Sequence, residues 1–303
     1  MSRLATSTDL EGILRLAARK IHATWPSQSP QETTLAFWHG LRESAAWPSE
    51  YDLFVTDEAQ GITGFLVLKK QLTRTITGDR ESVIHDFFAQ QISEHTSLVE
   101  CAAEAARGYE SQYLTTELSP GDRPDRELLE SLGFRLESHR ISVVTADCRA
   151  PEGSPYSVRP VAAGDDFLIA VLNATMLSHT LCAGREYNLS ELTFRSMGAM
   201  VAQANRHNPD SAALVLTLGQ ELVGHLLLEL SDRIGYIYDL ALAREHWGGT
   251  AVRHLMRAGS RLLFQRGIPL MVGDVSASNR RALTVARRAL GFAVDCQRYG
   301  LKL

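Results

Sequence analysis

The chain has 303 residues, of which 45% are apolar and 22% are charged, and its formal net charge is −4 at pH 7. This length predicts one large domain or two ordinary ones, and the small net charge excludes the broadly basic surface that is typical of nucleic-acid or membrane-surface binding. No apolar run reaches the roughly 18 residues of a membrane helix, and the first twelve residues, MSRLATSTDLEG, lack the apolar core of a signal peptide, so we expect a cytoplasmic protein.

The cysteines argue against a disulfide framework and against a metal site. No pair of them has metal-ligand spacing or forms a C-x-x-C motif. A reduced compartment fits this usage, and each residue is expected to pack as a small core side chain. The four are Cys101, Cys148, Cys182 and Cys296.

The first half of the chain alternates helical and strand-like patterns. Its first helix carries apolar residues at helical spacing, with Asp9 as a cap. In chain order we predict a helix over 10–24, a helix over 32–45, strands over 53–56, 64–68 and 83–89, a helix over 96–106, a strand over 113–117, a helix over 127–131 and a strand over 137–144.

The most linker-like segment is 146–155, which holds two prolines, a glycine and a serine between apolar runs. After it the pattern starts again. Residues 159–165 mirror 3–9, the sequence YIYDLA at 236–241 mirrors VIHDFF at 83–88, and LGF occurs at both 132–134 and 290–292. We therefore predict two copies of one domain, over 1–145 and 156–303.

The stretch 234–267 organises the second copy. An apolar run over 234–243 predicts a strand, and the paired glycines Gly248 and Gly249 lead into a helical pattern that ends at Gly267. A strand that feeds a glycine loop and a helix start is an anion site, because unpaired backbone N–H groups and the helix dipole both favour negative charge. Nine arginines and only two aspartates between Trp247 and Arg298 indicate either solvated helix faces or a partner with several phosphates.

Together with Asn279, Ala282 and the LGF at 290–292, this order of strand, loop, helix and strand resembles the GCN5-related N-acetyltransferase (GNAT) family. The family's loop motif falls on Trp247, Thr250 and Val252, and none of the three matches it. The resemblance implies an α/β fold with a mixed, mostly antiparallel sheet flanked by helices in each of two tandem domains. It also implies acetyl-CoA, or another short acyl-CoA, as co-substrate and direct transfer to an amine.

By the same resemblance, the strand end binds the pantetheine arm, the loop wraps the pyrophosphate, and Asn279 and nearby arginines contact the cofactor. The implied cofactor-binding residues are Leu240, Ala241, Leu242, Trp247, Gly248, Gly249, Thr250, Ala251, Val252, Arg253 and Asn279, with Arg280 or Arg281 as further phosphate contacts.

The proton-handling residues follow less directly. Where the family often has a glutamate, the chain has Tyr236, and where it often has a helical tyrosine, the chain has Ala286. The candidate catalytic residues are Tyr236, Tyr238 and Asp239. The first copy also has an aspartate, Asp86, at the position of Asp239, which favours a structural role for both. His225 replaces Phe65 of the first copy and is interpreted as a core residue or a base.

The first copy is about six residues short where the cofactor loop belongs. The spacing between equivalent residues grows from 153 (86 to 239) to 159 (108 to 267). We expect a degenerate CoA site there; the alternative is an intact loop followed by a shorter helix.

We therefore predict an N-acyltransferase for a small-molecule amine, acting as a monomer or homodimer, with neither nucleic acid, membrane nor metal as a partner. The alternative is a non-catalytic acyl-CoA-binding or interaction protein on the same duplicated fold. The segment 177–210, which shapes the acceptor side in the family, contains His179, Arg185, Arg195, Arg206 and His207 and indicates an acidic or polar acceptor.

Overall fold

A computed structural model of the chain describes residues 2–24, 49–59, 61–74, 77–147, 154–203, 208–247 and 250–303. The predicted helix over 32–45 and most of the predicted linker lie outside these residues. The elements are β1 (Ser2–Leu4), α1 (Leu10–Thr24), β2 (Tyr51–Glu58), β3 (Gly61–Thr73), β4 (Arg80–Ala89), α2 (Ile92–Gly108), β5 (Tyr113–Leu118), α3 (Arg123–Ser131), β6 (Arg135–Val144), β7 (Tyr156–Pro160), α4 (Asp165–Thr180), α5 (Leu189–Gln203), β8 (Ser211–Leu218), β9 (Glu221–Leu230), β10 (Ile234–Leu242), α6 (Ala251–Gln265), β11 (Leu270–Ser276), α7 (Arg280–Leu290) and β12 (Ala293–Lys302).

The chain forms two compact units, residues 1–135 with 299–303, and residues 136–298. This division differs from the predicted one, because β6 belongs to the second unit. There β6 pairs with β11 from Leu270↔Val144 to Ser276↔Ser138. In the first unit, Leu303 N–H donates to the Gln112 carbonyl. A boundary drawn from composition follows the linker, whereas the compact units follow strand pairing.

The sheet of the first unit has the strand order β1-β2-β3-β4-β5. Its pairs are antiparallel except the parallel pair β4–β5. The apolar residues of β2 and β3 form continuous runs that are buried on both faces of the sheet, and on one face Val55 and Phe65 pack against Ile13 and Leu16 of α1. Each such buried aliphatic side chain contributes about 1.5–3 kcal/mol. Helix α2 buries its own apolar stripe, which includes Leu98 and Ala102.

The sheet of the second unit has the order β6-β11-β10-β9-β8-β7. Only β10 and β11 among these pair in parallel. Leu226, Leu228 and Leu242 pack with Leu255 and Leu263 of α6 in one buried cluster. Helix α6 approaches β9 closely because residue 259 is glycine: a Cβ there would lie 2.5 Å from Leu226 Cδ2.

The duplication extends to individual hydrogen bonds. Arg3 holds Asp9 through Nη1–Oδ2 and Nη2–Oδ1 contacts of 2.7 and 3.0 Å. Arg159 holds Asp165 through the same atom pairs at 2.6 and 3.0 Å. The predicted repeat of 3–9 in 159–165 is therefore a repeat of one ion pair at the start of the first helix of each unit.

Candidate functional site

A gap opens between the two parallel strands of the second unit. β10 and β11 pair from Ile234↔Leu270 to Ile237↔Gly273, and no further pair joins them within the described residues, although β10 continues to Leu242 and β11 to Ser276. A β-bulge at this point, between Ile237 and Asp239, shifts the register of β10 against β9. Bulges re-aim the backbone and often lie beside functional sites.

The end of β10 forms one wall of this gap. Ala241 and Leu242 are buried and Leu240 is half-buried. The Leu242 carbonyl accepts a hydrogen bond of 2.8 Å from the Trp247 indole N–H, so Trp247 fastens the following loop to the strand. At Gly224 on β9 a Cβ would lie 2.4 Å from Leu242 Cδ2 and 3.0 Å from the Ala241 carbonyl oxygen, so only glycine fits against this strand end.

The predicted phosphate loop leads from this strand end to the start of α6. A short 3-10 turn over Arg244–His246 comes first, and Thr250 is the N-cap of α6. Gly248 and Gly249 lie outside the described residues. The first turn of α6, which contains the predicted contacts Ala251, Val252 and Arg253, holds no acidic residue. Arg253 is exposed, so both the helix dipole and a cation favour an anion here.

Side chains from β7 and α7 also contact this loop. Tyr156 Oη and His246 Nδ1 lie 2.9 Å apart in a hydrogen bond, and the Tyr156 ring makes edge contact with the His246 ring. Arg281 donates to the Trp247 carbonyl at 3.3 Å. The loop thus has side-chain contacts on β7 and α7 as well as on β10.

Asn279 caps helix α7, and its side-chain oxygen accepts a hydrogen bond of 3.1 Å from Ala282 N–H. The sequence resemblance implied a cofactor contact for this residue. In the structure its carbonyl oxygen is used by the helix, which places the exposed Arg280 and Arg281 at the start of α7.

Tyr236 lies before the bulge and donates a hydrogen bond of 2.7 Å to Asp274 Oδ2 on β11. Arg140 Nε lies 3.5 Å from the other oxygen of this carboxylate. Sequence reasoning missed Asp274, because no spacing along the chain shows which residue on the next strand faces Tyr236.

Tyr238 is the bulged residue and is half-buried. Burial raises its pKa above the ordinary value near 10, and the carboxylates of Glu229 and Asp239 raise that pKa further. The phenol therefore keeps its proton at neutral pH, which suits a proton donor and not a base.

Asp239 follows the bulge, and two side chains hold it at one oxygen. His225 Nε2 lies 2.5 Å from Asp239 Oδ2, and Asn173 Nδ2 donates to the same oxygen at 3.1 Å. Ser196 donates in turn to Asn173 Oδ1. The sequence indicated two members of this cluster, Asp239 as a candidate catalytic residue and His225 as the replacement of a core phenylalanine, whereas Asn173 and Ser196 gave no signal.

Charges on the acceptor side are largely paired where they are described. Arg185 holds the buried carboxylate of Glu137 through two contacts of 2.5 and 2.6 Å, and Arg195 pairs with Glu191. Arg206, His207 and the side chain of His179 lie outside the described residues. The predicted preference for an acidic acceptor therefore loses the support of Arg185 and Arg195.

The loop before the helix is much shorter in the first unit. There β4 ends at Ala89 and α2 begins at Ile92, whereas β10 ends at Leu242 and α6 begins at Ala251. Helix α2 has 17 residues and α6 has 15, so the missing residues belong to the loop. The alternative of an intact loop with a shortened helix is wrong.

Side chains of the first unit also bond to the backbone groups around this loop. Glu94 accepts from Gln91 N–H at 3.1 Å and from the Thr63 hydroxyl at 2.5 Å. His95 Nε2 accepts from Ala89 N–H at 2.5 Å. A carboxylate of the protein itself therefore lies at the helix start where the second unit has no acid.

Among the described residues no group of three or more histidine, cysteine, aspartate or glutamate side chains is arranged to hold a metal ion. No helix in the described part of the chain is both long and apolar enough to cross a membrane.

Comparisons with known proteins agree with this geometry. Residues 177–292 match the model of the acetyltransferase (GNAT) family. A GCN5-related N-acetyltransferase from Sphaerobacter thermophilus superposes with a TM-score of 0.60 and 18% identity, over 100% of this chain and 95% of that one. A tandem GNAT protein from the clavulanic acid biosynthesis pathway, solved without AcCoA, gives 0.51 and 14%, over 100% and 98%.

A glucosamine N-acetyltransferase region of a fungal multi-domain GH3 beta-N-acetylglucosaminidase gives a TM-score of 0.57 and 13% identity, over 99% of this chain and 38% of that one. A search of curated protein sequences found no match. The predicted resemblance is confirmed: residues 177–292 match the GNAT family model, and the whole chain has a mixed α/β fold that GNAT acetyltransferases share, a tandem GNAT protein among them. Such domains support acyl transfer from acetyl-CoA or another acyl-CoA in general.

Proposed function

We propose that the chain is an acyl-CoA-dependent N-acyltransferase that passes an acetyl or short acyl group directly to a small-molecule amine, and that the second unit does this work. The observation that carries the proposal is the parting of β10 and β11 after Ile237 and Gly273, directly before an acid-free helix start. This gap lies inside the segment that matches the GNAT family.

The residues present fit the co-substrate. Backbone groups of Leu240, Ala241 and Leu242 line the unpaired side of β10 and would hold the pantetheine arm. The turn from Trp247 to Val252 and the cation of Arg253 would hold the pyrophosphate, with Arg280 and Arg281 near the remaining phosphate as charge-assisted donors. Bound acyl-CoA supplies a thioester as the acyl source.

The reaction needs one group that takes a proton from the amine and another that supplies a proton to the departing sulfur. We assign the first role to Asp239, whose Oδ1 has no hydrogen-bond partner among the described residues and whose side chain keeps a small exposed area of 5%. We assign the second role to Tyr238, because its raised pKa keeps the phenol protonated. The hydroxyl of Tyr236 is engaged with Asp274 and is the weaker candidate.

The first unit is proposed to lack a CoA site. Its loop has only residues 90 and 91 between strand and helix, and the Glu94 carboxylate caps the helix start. A pyrophosphate would meet a negative charge at the distance where an N–H group should bind it.

A second candidate function is acyl-CoA binding without catalysis. Its support is the absence of the glutamate and helical tyrosine that the family often uses, since Tyr236 and Ala286 stand at those positions. The two functions differ in a single measurable product, the free thiol of CoA.

Thiol release from acetyl-CoA, followed with a chromogenic disulfide across a panel of primary amines, tests the proposal. We expect release that depends on one class of amine and exceeds the release without amine or without protein. Acetyl-CoA binding measured by calorimetry, with no amine-dependent release across the panel, would favour the non-catalytic function. No acetyl-CoA binding at all would contradict both.

A further inference from the structure

The cluster around Asp239 is a continuous buried chain of polar side chains that spans four elements. Asp239 is on β10, His225 on β9, Asn173 on α4 and Ser196 on α5. Their exposed fractions are 6%, 0%, 3% and 0%. Water cannot replace bonds at such depth, so each member depends on the position of the next.

The first unit shows that the fold does not need this series of buried polar side chains. Ile13 and Ile169 occupy the same place in α1 and α4, and both are fully buried. Four residues further along, the first unit has Ala17 where the second has Asn173.

The strand position of His225 is also apolar in the first unit. Phe65 pairs there with Val55 and Phe88, as His225 pairs with Val215 and Ala241 in the second unit. The same layer is thus built from apolar residues in one copy.

One end of this series of polar side chains, Asp239, lies at the site proposed for the thioester. Asp239 directly follows the bulged Tyr238, where β10 leaves β11. A ligand that bonds to the open side of β10 at Leu240 acts on the backbone next to this carboxylate. Any movement of Asp239 must be followed by His225 and Asn173, or their buried hydrogen bonds break.

We propose that binding of acyl-CoA in the β10–β11 gap increases the order of helices α4 and α5. The effect passes through the hydrogen bonds that join Asp239, His225, Asn173 and Ser196. His225, Asn173 and Ser196 are then positioning residues, which tie the helices on the acceptor side to the strand that holds the acyl donor. Linkage requires the effect to be reciprocal, so an acceptor that orders α4 and α5 tightens acyl-CoA binding. The inference rests on the proposed function, because it needs acyl-CoA in this gap.

Hydrogen–deuterium exchange of the full chain with and without acetyl-CoA tests the inference without a known acceptor. In the wild type we expect acetyl-CoA to slow amide exchange in α4 and α5 several-fold, in addition to the direct protection of β10 and the start of α6. His225→Phe installs the residue of the first unit and should abolish the slowing in α4 and α5, while calorimetry gives an acetyl-CoA affinity within about threefold of the wild type.

His225→Gln is the matched control. Its amide N–H₂ group can reach Asp239 from about the position of the imidazole Nε2, so we expect it to restore the slowing. A purely structural role of His225 would lower the melting temperature without changing the response to acetyl-CoA. The inference is overturned if acetyl-CoA binds and leaves α4 and α5 unchanged in the wild type, or if His225→Phe responds as the wild type does. Absence of acetyl-CoA binding in calorimetry would instead overturn the proposed function.

Discussion

Tyr238 is the residue whose environment most restricts its chemistry. Its position in the bulge half-buries the phenol, and burial together with Glu229 and Asp239 raises its pKa. A phenol whose pKa lies above 10 stays protonated throughout the neutral range, so it can donate a proton but cannot accept one.

We predict that Tyr238→Phe lowers kcat by about 100-fold, the lower end of the usual effect of a general acid, and leaves the affinity for acetyl-CoA unchanged. Because the pKa is raised, the ratio of wild-type to variant kcat should stay constant between pH 7 and 9. Steady-state thiol release at several pH values measures this. A ratio that falls across this range, or a variant as fast as the wild type, would contradict the assignment.

Asp239 illustrates what a single residue's sequence position can and cannot reveal. The shared aspartate of the two copies, Asp86 and Asp239, favoured a structural role. The environments differ, however, because Asp86 is partly exposed and Asp239 is buried beside His225 and Asn173. Strand neighbours and helix contacts are set by tertiary packing, so the sequence could indicate His225 as a core residue or a base but could not identify its partners.

At the scale of elements, the sequence largely predicted that strand β10 is followed by a loop and then by helix α6. The apolar run and its helical continuation predicted β10 and α6 with closely matching bounds, because period and glycine punctuation are local signals. The same holds for the shortened loop of the first unit. The pairing of Tyr236 with Asp274 was not predictable, because it depends on the register between β10 and β11.

Gly224 provides a test of the strand end. Gly224→Ala places a methyl group 2.4 Å from Leu242 Cδ2 and 3.0 Å from the Ala241 carbonyl oxygen, so the Leu242 side chain must move and the backbone at the end of β10 is crowded. We predict at least a tenfold weaker affinity for acetyl-CoA in calorimetry and a loss of about 1–3 kcal/mol in the free energy of unfolding, as is typical of overpacking.

The matched control is Gly64→Ala in the first unit, where a Cβ would lie 2.5 Å from Thr56 Oγ1 and 2.8 Å from Ala89 Cβ. This variant should lose similar stability and keep its affinity for acetyl-CoA. Equal weakening of binding by both variants would mean that general destabilisation, and not the β10 end, controls the affinity.

At the scale of the whole molecule, the duplication was visible in the sequence and reaches the ion pairs Arg3–Asp9 and Arg159–Asp165. The membership of the last strands was not visible. Residues 136–144 complete the second unit and residues 299–303 complete the first, although in the sequence 136–144 belong to the first copy and 299–303 to the second. A pattern of apolar residues predicts a strand but does not show with which other strand it pairs.

The two copies also differ in charge at the start of the helix that follows β10 in the second unit and β4 in the first. The second unit has Arg253 and no acid in the first turn of α6, whereas the first unit has Glu94 in the first turn of α2. We therefore propose that acyl-CoA binds to one unit only, and substitutions at the helix start can test this proposal.

The most direct test is the stoichiometry of acetyl-CoA binding, measured by isothermal titration calorimetry on the wild type and on two N-cap variants. Aspartate is a favourable N-cap, so Thr250→Asp on α6 and Gln91→Asp on α2 should both fold. We predict one molecule per chain for the wild type and for Gln91→Asp, and no measurable binding for Thr250→Asp. Two molecules per chain in the wild type, or binding that survives Thr250→Asp and is lost in Gln91→Asp, would contradict the account.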